Sequence, residues 1–208
     1  NAGLVRLEVW APVPSQRAGD VHGLVMVLGF LATLISLERA QALGARWAYA
    51  APGLLGAGAL ALLTPAPLLL GHLLLIEGCL IFLGTYFALW RRVPRPLVTV
   101  QVFSAVLALV GAVLALLVDI PTAVPWLIGF IVLTIASERA ELAALSMGER
   151  AEQNLTWFAV ALGVGATAAL SLGPTGERVL GLVVAAVALW LLRRDVAGRQ
   201  LRLRGQHR

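Results

Sequence analysis

The sequence predicts an all-α polytopic membrane protein, a bundle of about seven transmembrane helices. Three observations carry this. Of 208 residues, 60% are hydrophobic and only 13% charged, and the mean hydropathy is +0.89. Soluble domains carry roughly 25% charged residues, and a soluble globule of this size could not hide so much apolar surface. Seven apolar stretches reach or approach the ~20 residues that cross a bilayer. All 16 basic residues are Arg, gathered mainly in the short segments between those stretches. A soluble enzyme, a disordered chain and a disulfide scaffold are excluded. The lone Cys79 can form neither an internal disulfide nor a multi-cysteine metal site.

The spans follow in order at 21–43, 47–64, 67–90, 97–119, 122–145, 155–173 and 178–194. The breaks are rich in proline and glycine: Thr64-Pro65-Ala66-Pro67, Val93-Pro94-Arg95-Pro96, Ile120-Pro121 and Gly173-Pro174-Thr175-Gly176. Proline lacks the backbone donor that a helix interior uses, so it marks ends. Pro52 and Pro125 fall in first turns, where proline is tolerated. Trp47, Trp90, Trp126, Trp157 and Trp190 lie near span ends, as interfacial belts require.

Arginine placement predicts orientation. Thirteen arginines follow the first, third, fifth and seventh spans, against three (Arg6, Arg17 and Arg178) on the other side. The first set is expected in the cytoplasm, within a bacterial cytoplasmic membrane. Three regions result: an extracytoplasmic segment 1–20, the bundle 21–194 and a basic cytoplasmic tail 195–208. The tail suits anionic lipid headgroups. No basic stripe with polar and aromatic neighbours is present, so no nucleic-acid partner is expected. An odd number of spans places Asn1 outside. A processed or truncated start, or an eighth span missing before it, is expected.

The first and fifth spans share a repeat. Residues 29–40 read GFLATLISLERA and 129–140 read GFIVLTIASERA, with six of twelve positions identical at an offset of 100. Both spans run inward, so the repeat is parallel, in units of about four helices.

His22 opens the first span. Met26, Gly29, Thr33 and Ser36 follow it on one face at ~100° per residue, and this small, polar stripe is expected to face the interior. His72 lies about one turn inside the third span, ~6–8 Å below its outer end. The two histidines thus share a leaflet at similar depth, and imidazoles on separate helices can ligate a haem iron from both sides or hold copper or zinc. Gly29, Gly71 and Gly78 are expected to make room for the haem. The competing reading is two unrelated, hydrogen-bonded histidines. Glu77 falls near mid-span, where an ionised carboxylate costs several kcal/mol. It is read as a buried proton carrier, a neutral acid bonded to a carbonyl, or a partner for Arg on another helix. Glu38-Arg39 and Glu138-Arg139, with Glu141, sit at the inner ends of the first and fifth spans. They are expected to cross-pair, Glu38 with Arg139 and Glu138 with Arg39, as structural locks.

The run His22-Gly-Leu-Val-Met26-Val-Leu-Gly29-Phe30 resembles the helix-opening pattern of the NnrS family, multispanning haem- and copper-containing membrane proteins associated with nitric oxide resistance. His-Gly-x-x-Met is also similar to the start of a haem-ligating helix in subunit I of haem–copper oxidases. The likeness covers about nine residues and implies a ligand role for His22 and, by spacing, Met26. The family's second histidine close to His22 is absent here.

The leading expectation is therefore a haem b or copper protein with an outer-leaflet site made by His22 and His72, for electron transfer or handling of nitric oxide or oxygen. The alternative is a non-catalytic membrane subunit or assembly factor of a larger complex. A small-solute or proton-coupled transporter is third.

Overall fold

Turn chemistry sets the helix limits. The computed structural model describes residues 16–142 and 149–193. After a turn of helix at Gln16–Asp20 come α1 His22–Leu43, α2 Ala50–Leu63, α3 Leu68–Arg92, α4 Pro96–Leu117, α5 Ile120–Leu142, α6 Glu149–Leu172 and α7 Pro174–Arg193. Gly44 (φ +70°) ends α1, and Gly173 (φ +54°) turns the chain between α6 and α7. Both adopt the left-handed conformation that glycine reaches without a Cβ penalty. Pro96 and Pro174 begin their helices, where the missing N–H costs nothing. Asp119 caps α5 by accepting the Thr122 N–H at 2.7 Å. The Thr122 hydroxyl and N–H hold its carboxyl below the usual range.

Among the described residues six helices, all but α2, are long and apolar enough to cross a membrane, and the chain is an integral membrane protein with an all-α fold. The expected second span is reduced: α2 has 14 residues, or ~21 Å. A 3₁₀ turn at Arg46–Tyr49 precedes it. At ~2 Å per residue that turn extends the segment to about 29 Å, close to the ~30 Å hydrocarbon thickness. The tail 195–208, His207 and residues 1–15 of the N-terminal segment lie outside the described residues.

Sequential neighbours pack together from α1 to α5, and α5 returns to touch α1. α6 lies against α4 and α5, and α7 against α6. Lipid is as apolar as leucine, so close packing of small residues holds such helices together. Between α2 and α3 a Cβ on Gly71 would lie 2.7 Å from Leu62, and one on Gly78 would lie 2.7 Å from Leu55. Gly58 meets Leu75 in the same way. These three contacts fix the antiparallel register of α2 on α3.

Helix α1 departs from regular geometry. Val25–Ala32 is π-helical, bonding i→i+5. Fewer degrees are turned per residue, and the buried positions Leu24, Leu28, Ala32 and Ser36 recur every fourth residue. Thr33 Oγ1 donates to the Gly29 carbonyl at 2.7 Å. The expected interior stripe is broken as a result: Ser36 is buried, but Met26 is 47% exposed.

The repeat has a partial structural counterpart. α1 and α5 run in the same sense, with their Glu-Arg pairs at one end. Their faces differ, however: Phe30 is 56% exposed and Phe130 fully buried. Gly29 fits against Ala59 of α2, whereas Gly129 fits against Leu107 of α4.

Candidate functional site

Three places hold the chemistry-bearing residues. At the end of the bundle away from the arginines, His22 is half-buried, in the first turn of α1, and that turn packs on α5. His72 is buried on α3, and its Nδ1 has no hydrogen-bond partner among the described residues. Met26 turns outward, away from the interior that His72 faces. The glycines expected to make room for a haem are already occupied: Gly71 by Leu62, Gly78 by Leu55 and Gly29 by Ala59. A haem ring does not fit among these residues as they stand. Among the described residues no group of three or more His, Cys, Asp or Glu could hold a metal ion. Cys79 is fully buried in the core.

Glu77 is the second place. It is the tenth residue of the 25-residue α3, within about one helical turn of the midpoint. It does not face the core: Glu77 is exposed, as are Leu73 and Leu80 on either side. It has no hydrogen-bond or ion-pair partner among the described residues. None of the three expected interior roles is met among the described residues. The spacing argument that separated it from His72 agrees with this, since five residues turn the helix by ~140°.

The third place is the arginine-rich end, where the side chains converge most closely. Arg39 is buried, at 7% exposure. Its Nη2 donates to Glu138 Oε1 and Oε2, both at 2.8 Å, and to Glu38 Oε1 at 3.1 Å. Its Nη1 donates to Glu141 Oε2 at 3.2 Å. Gln101 of α4 also donates, through Nε2, to Glu141 Oε2 at 2.9 Å. One guanidinium thus gathers carboxylates from α1 and α5, and Gln101 ties in α4.

The Glu138–Arg39 pair is therefore present, but its expected mirror image is not. Glu38 lies on Arg39 rather than on Arg139, and Arg139 is exposed. Adjacent residues leave a helix in different directions, yet the long Arg39 side chain reaches back to its neighbour. Sequence reasoning missed Gln101 and Tyr86. Tyr86 is fully buried within electrostatic reach of Arg39, and its hydroxyl and Arg39 Nε have no hydrogen-bond partner among the described residues. The signal was a polar residue within an apolar span: Gln101 is the only amide between 97 and 119.

Residues 1–208 match the model of a family described as Domain of unknown function (DUF8744). No curated protein and no solved structure matches the chain.

Proposed function

We propose that this chain, which belongs to the DUF8744 family, is a non-catalytic membrane subunit that works by docking against another membrane protein. One observation carries the reading: Glu77 stands exposed near the middle of α3, among leucines, with no partner among the described residues. An ionisable residue facing lipid there is costly, and intramembrane ionisable groups mark functional sites. A docked protein would take Glu77 out of lipid. The arginine-rich end, with the locked Arg39 cluster, is the cytoplasmic side in this reading. The test is native size in the protein's own membrane after mild solubilisation. The wild-type chain is expected to run in a complex larger than a monomer, and Glu77→Leu to release it. A Glu77→Leu chain that keeps the wild-type size defeats the reading.

The unpartnered Nδ1 of His72 favours a second reading, a copper ion held by His72 with His22 at the outer end. Imidazole is a good copper ligand. It would serve electron transfer or the handling of nitric oxide or oxygen. Haem b would require Leu55 and Leu62 to give way. Purified protein should then carry copper that His72→Ala loses and His207→Ala keeps, measured as metal per chain. Equal metal in the two variants removes this reading.

A further inference from the structure

Glu77 lies on a particular flank of α3. Gly84, two turns further along, faces Trp47, whose ring is 3.8 Å from the place a Cβ would take. Trp47 belongs to the turn leading into α2. Residues seven apart share a helix face, so Glu77 lies on the same lipid-facing flank as Gly84, about 100° around α3 from Gly78, which packs on α2. The contacts Leu55–Gly78, Gly58–Leu75 and Leu62–Gly71 place residues 56 and 57 of α2 level with it. The α2 residues turned outward around that level include small ones beside Leu60: Gly53 and Ala57 are exposed and Ala61 is half-buried, while Leu60 is 65% exposed. Space is open around Gly53, with nothing within 4 Å of a Cβ placed there. Small residues let a neighbouring helix backbone come close, here beside an unpartnered carboxylate.

Charge selects the occupant. Among the described residues, every other charged position of α1–α7 lies within about two turns of a helix end, from Glu38 and Arg39 on α1 to Arg193 on α7. A second copy packed by the same face would therefore meet Glu77 with another carboxylate and, among its described residues, no cation at that depth. Resting on the subunit reading above, we propose that the occupant is a transmembrane helix of a different protein, bearing an Arg or Lys near its midpoint. It lies along the α2–α3 face with its basic group on Glu77. The carboxylate and the cation then neutralise each other inside the membrane, where each alone is costly.

The test uses the full chain in phosphatidylcholine vesicles and three synthetic leucine–alanine transmembrane peptides, with Arg, Leu or Glu at the centre. Binding is read by energy transfer. The Arg peptide is expected to bind about tenfold tighter than the Leu peptide, a difference of ~1.4 kcal/mol. Glu77→Leu should abolish that preference and Glu77→Gln should weaken it. Unchanged thermal unfolding of both variants shows that they are folded. An Arg peptide no better than the Leu peptide overturns the proposal. So does a preference that survives Glu77→Leu. Preference for the Glu peptide also overturns it, and points to carboxyl pairing between copies. If Glu77→Leu dissolves the native complex but the Arg peptide shows no preference, the basic partner is wrong and the subunit reading stands. If the native complex ignores Glu77, the subunit reading falls first.

Discussion

Arg39→Leu is expected to destabilise the bundle by about 3–5 kcal/mol, the range for breaking a buried ion pair by removing one partner. Arg39 is 7% exposed, and three carboxylates depend on it. Without the guanidinium, Glu38, Glu138 and Glu141 face one another with no cation among them in the described residues, where Gln101 still donates to Glu141. The repulsion acts where α1 meets α5, so the contact between the first and fifth helices should loosen first. Glu138→Gln should cost less, because Arg39 keeps Glu38 and Glu141. Arg39→Lys should fall between, since an ammonium is a point charge and cannot spread two nitrogens over separate carboxylates. Arg139, its counterpart in the repeat, is exposed, and Arg139→Leu should stay within about 0.5 kcal/mol of wild type. Thermal unfolding in detergent orders the four variants. Equal losses for Arg39→Leu and Arg139→Leu would show that the cluster does not hold the ends together.

The spans were legible because their signals are local. Apolar runs near 20 residues and prolines such as Pro96 and Pro174 at the breaks need no tertiary knowledge. That His72 and Glu77 occupy different faces also followed from helical geometry, since both lie in a regular α-helix. What could not be read depends on contacts between distant segments. Met26 was placed inward by assuming 100° per residue, and the π-helical stretch at Val25–Ala32 breaks that assumption. The stretch lies where Gly29 closes on Ala59, thirty residues away in sequence. The repeat motif suggested symmetrical pairing of Glu38 and Glu138. The two helices instead turn different faces to the bundle, as Phe30 and Phe130 show, so one arginine is enclosed and the other is not. Glu77 is the instructive miss. Its cost in a membrane is evident from its position, but cost does not by itself imply burial. Hydropathy gives the depth of a residue along its helix, whereas its direction, toward neighbours or toward lipid, is set by which helices pack on α3.

The remaining large effect should come from a glycine. Gly176→Ala is expected to cost about 3 kcal/mol, the upper part of the usual range for overpacking, and to part α6 from α7. A Cβ on Gly176 would collide with the carbonyl oxygen and carbon of Ala168 and come within 2.6 Å of the Ala169 nitrogen. These are backbone atoms of α6, so no side-chain rotation can make room. The helices must separate by the thickness of a methyl group, and contacts further along, such as Leu180 over Gly165, must loosen as well. In lipid little hydrophobic force draws them together again, because helix association there rests on close van der Waals contact. Gly181, five residues along the same helix, provides the comparison. It is exposed, and nothing lies within 4 Å of a Cβ placed there. Alanine is also the better helix former, by up to ~1 kcal/mol, so Gly181→Ala should be neutral or stabilising. Measured by unfolding in the same detergent, the two substitutions should therefore differ in sign or nearly so. If Gly176→Ala proves as harmless as Gly181→Ala, then α6 and α7 do not pack as closely as Gly176 against Ala168 requires.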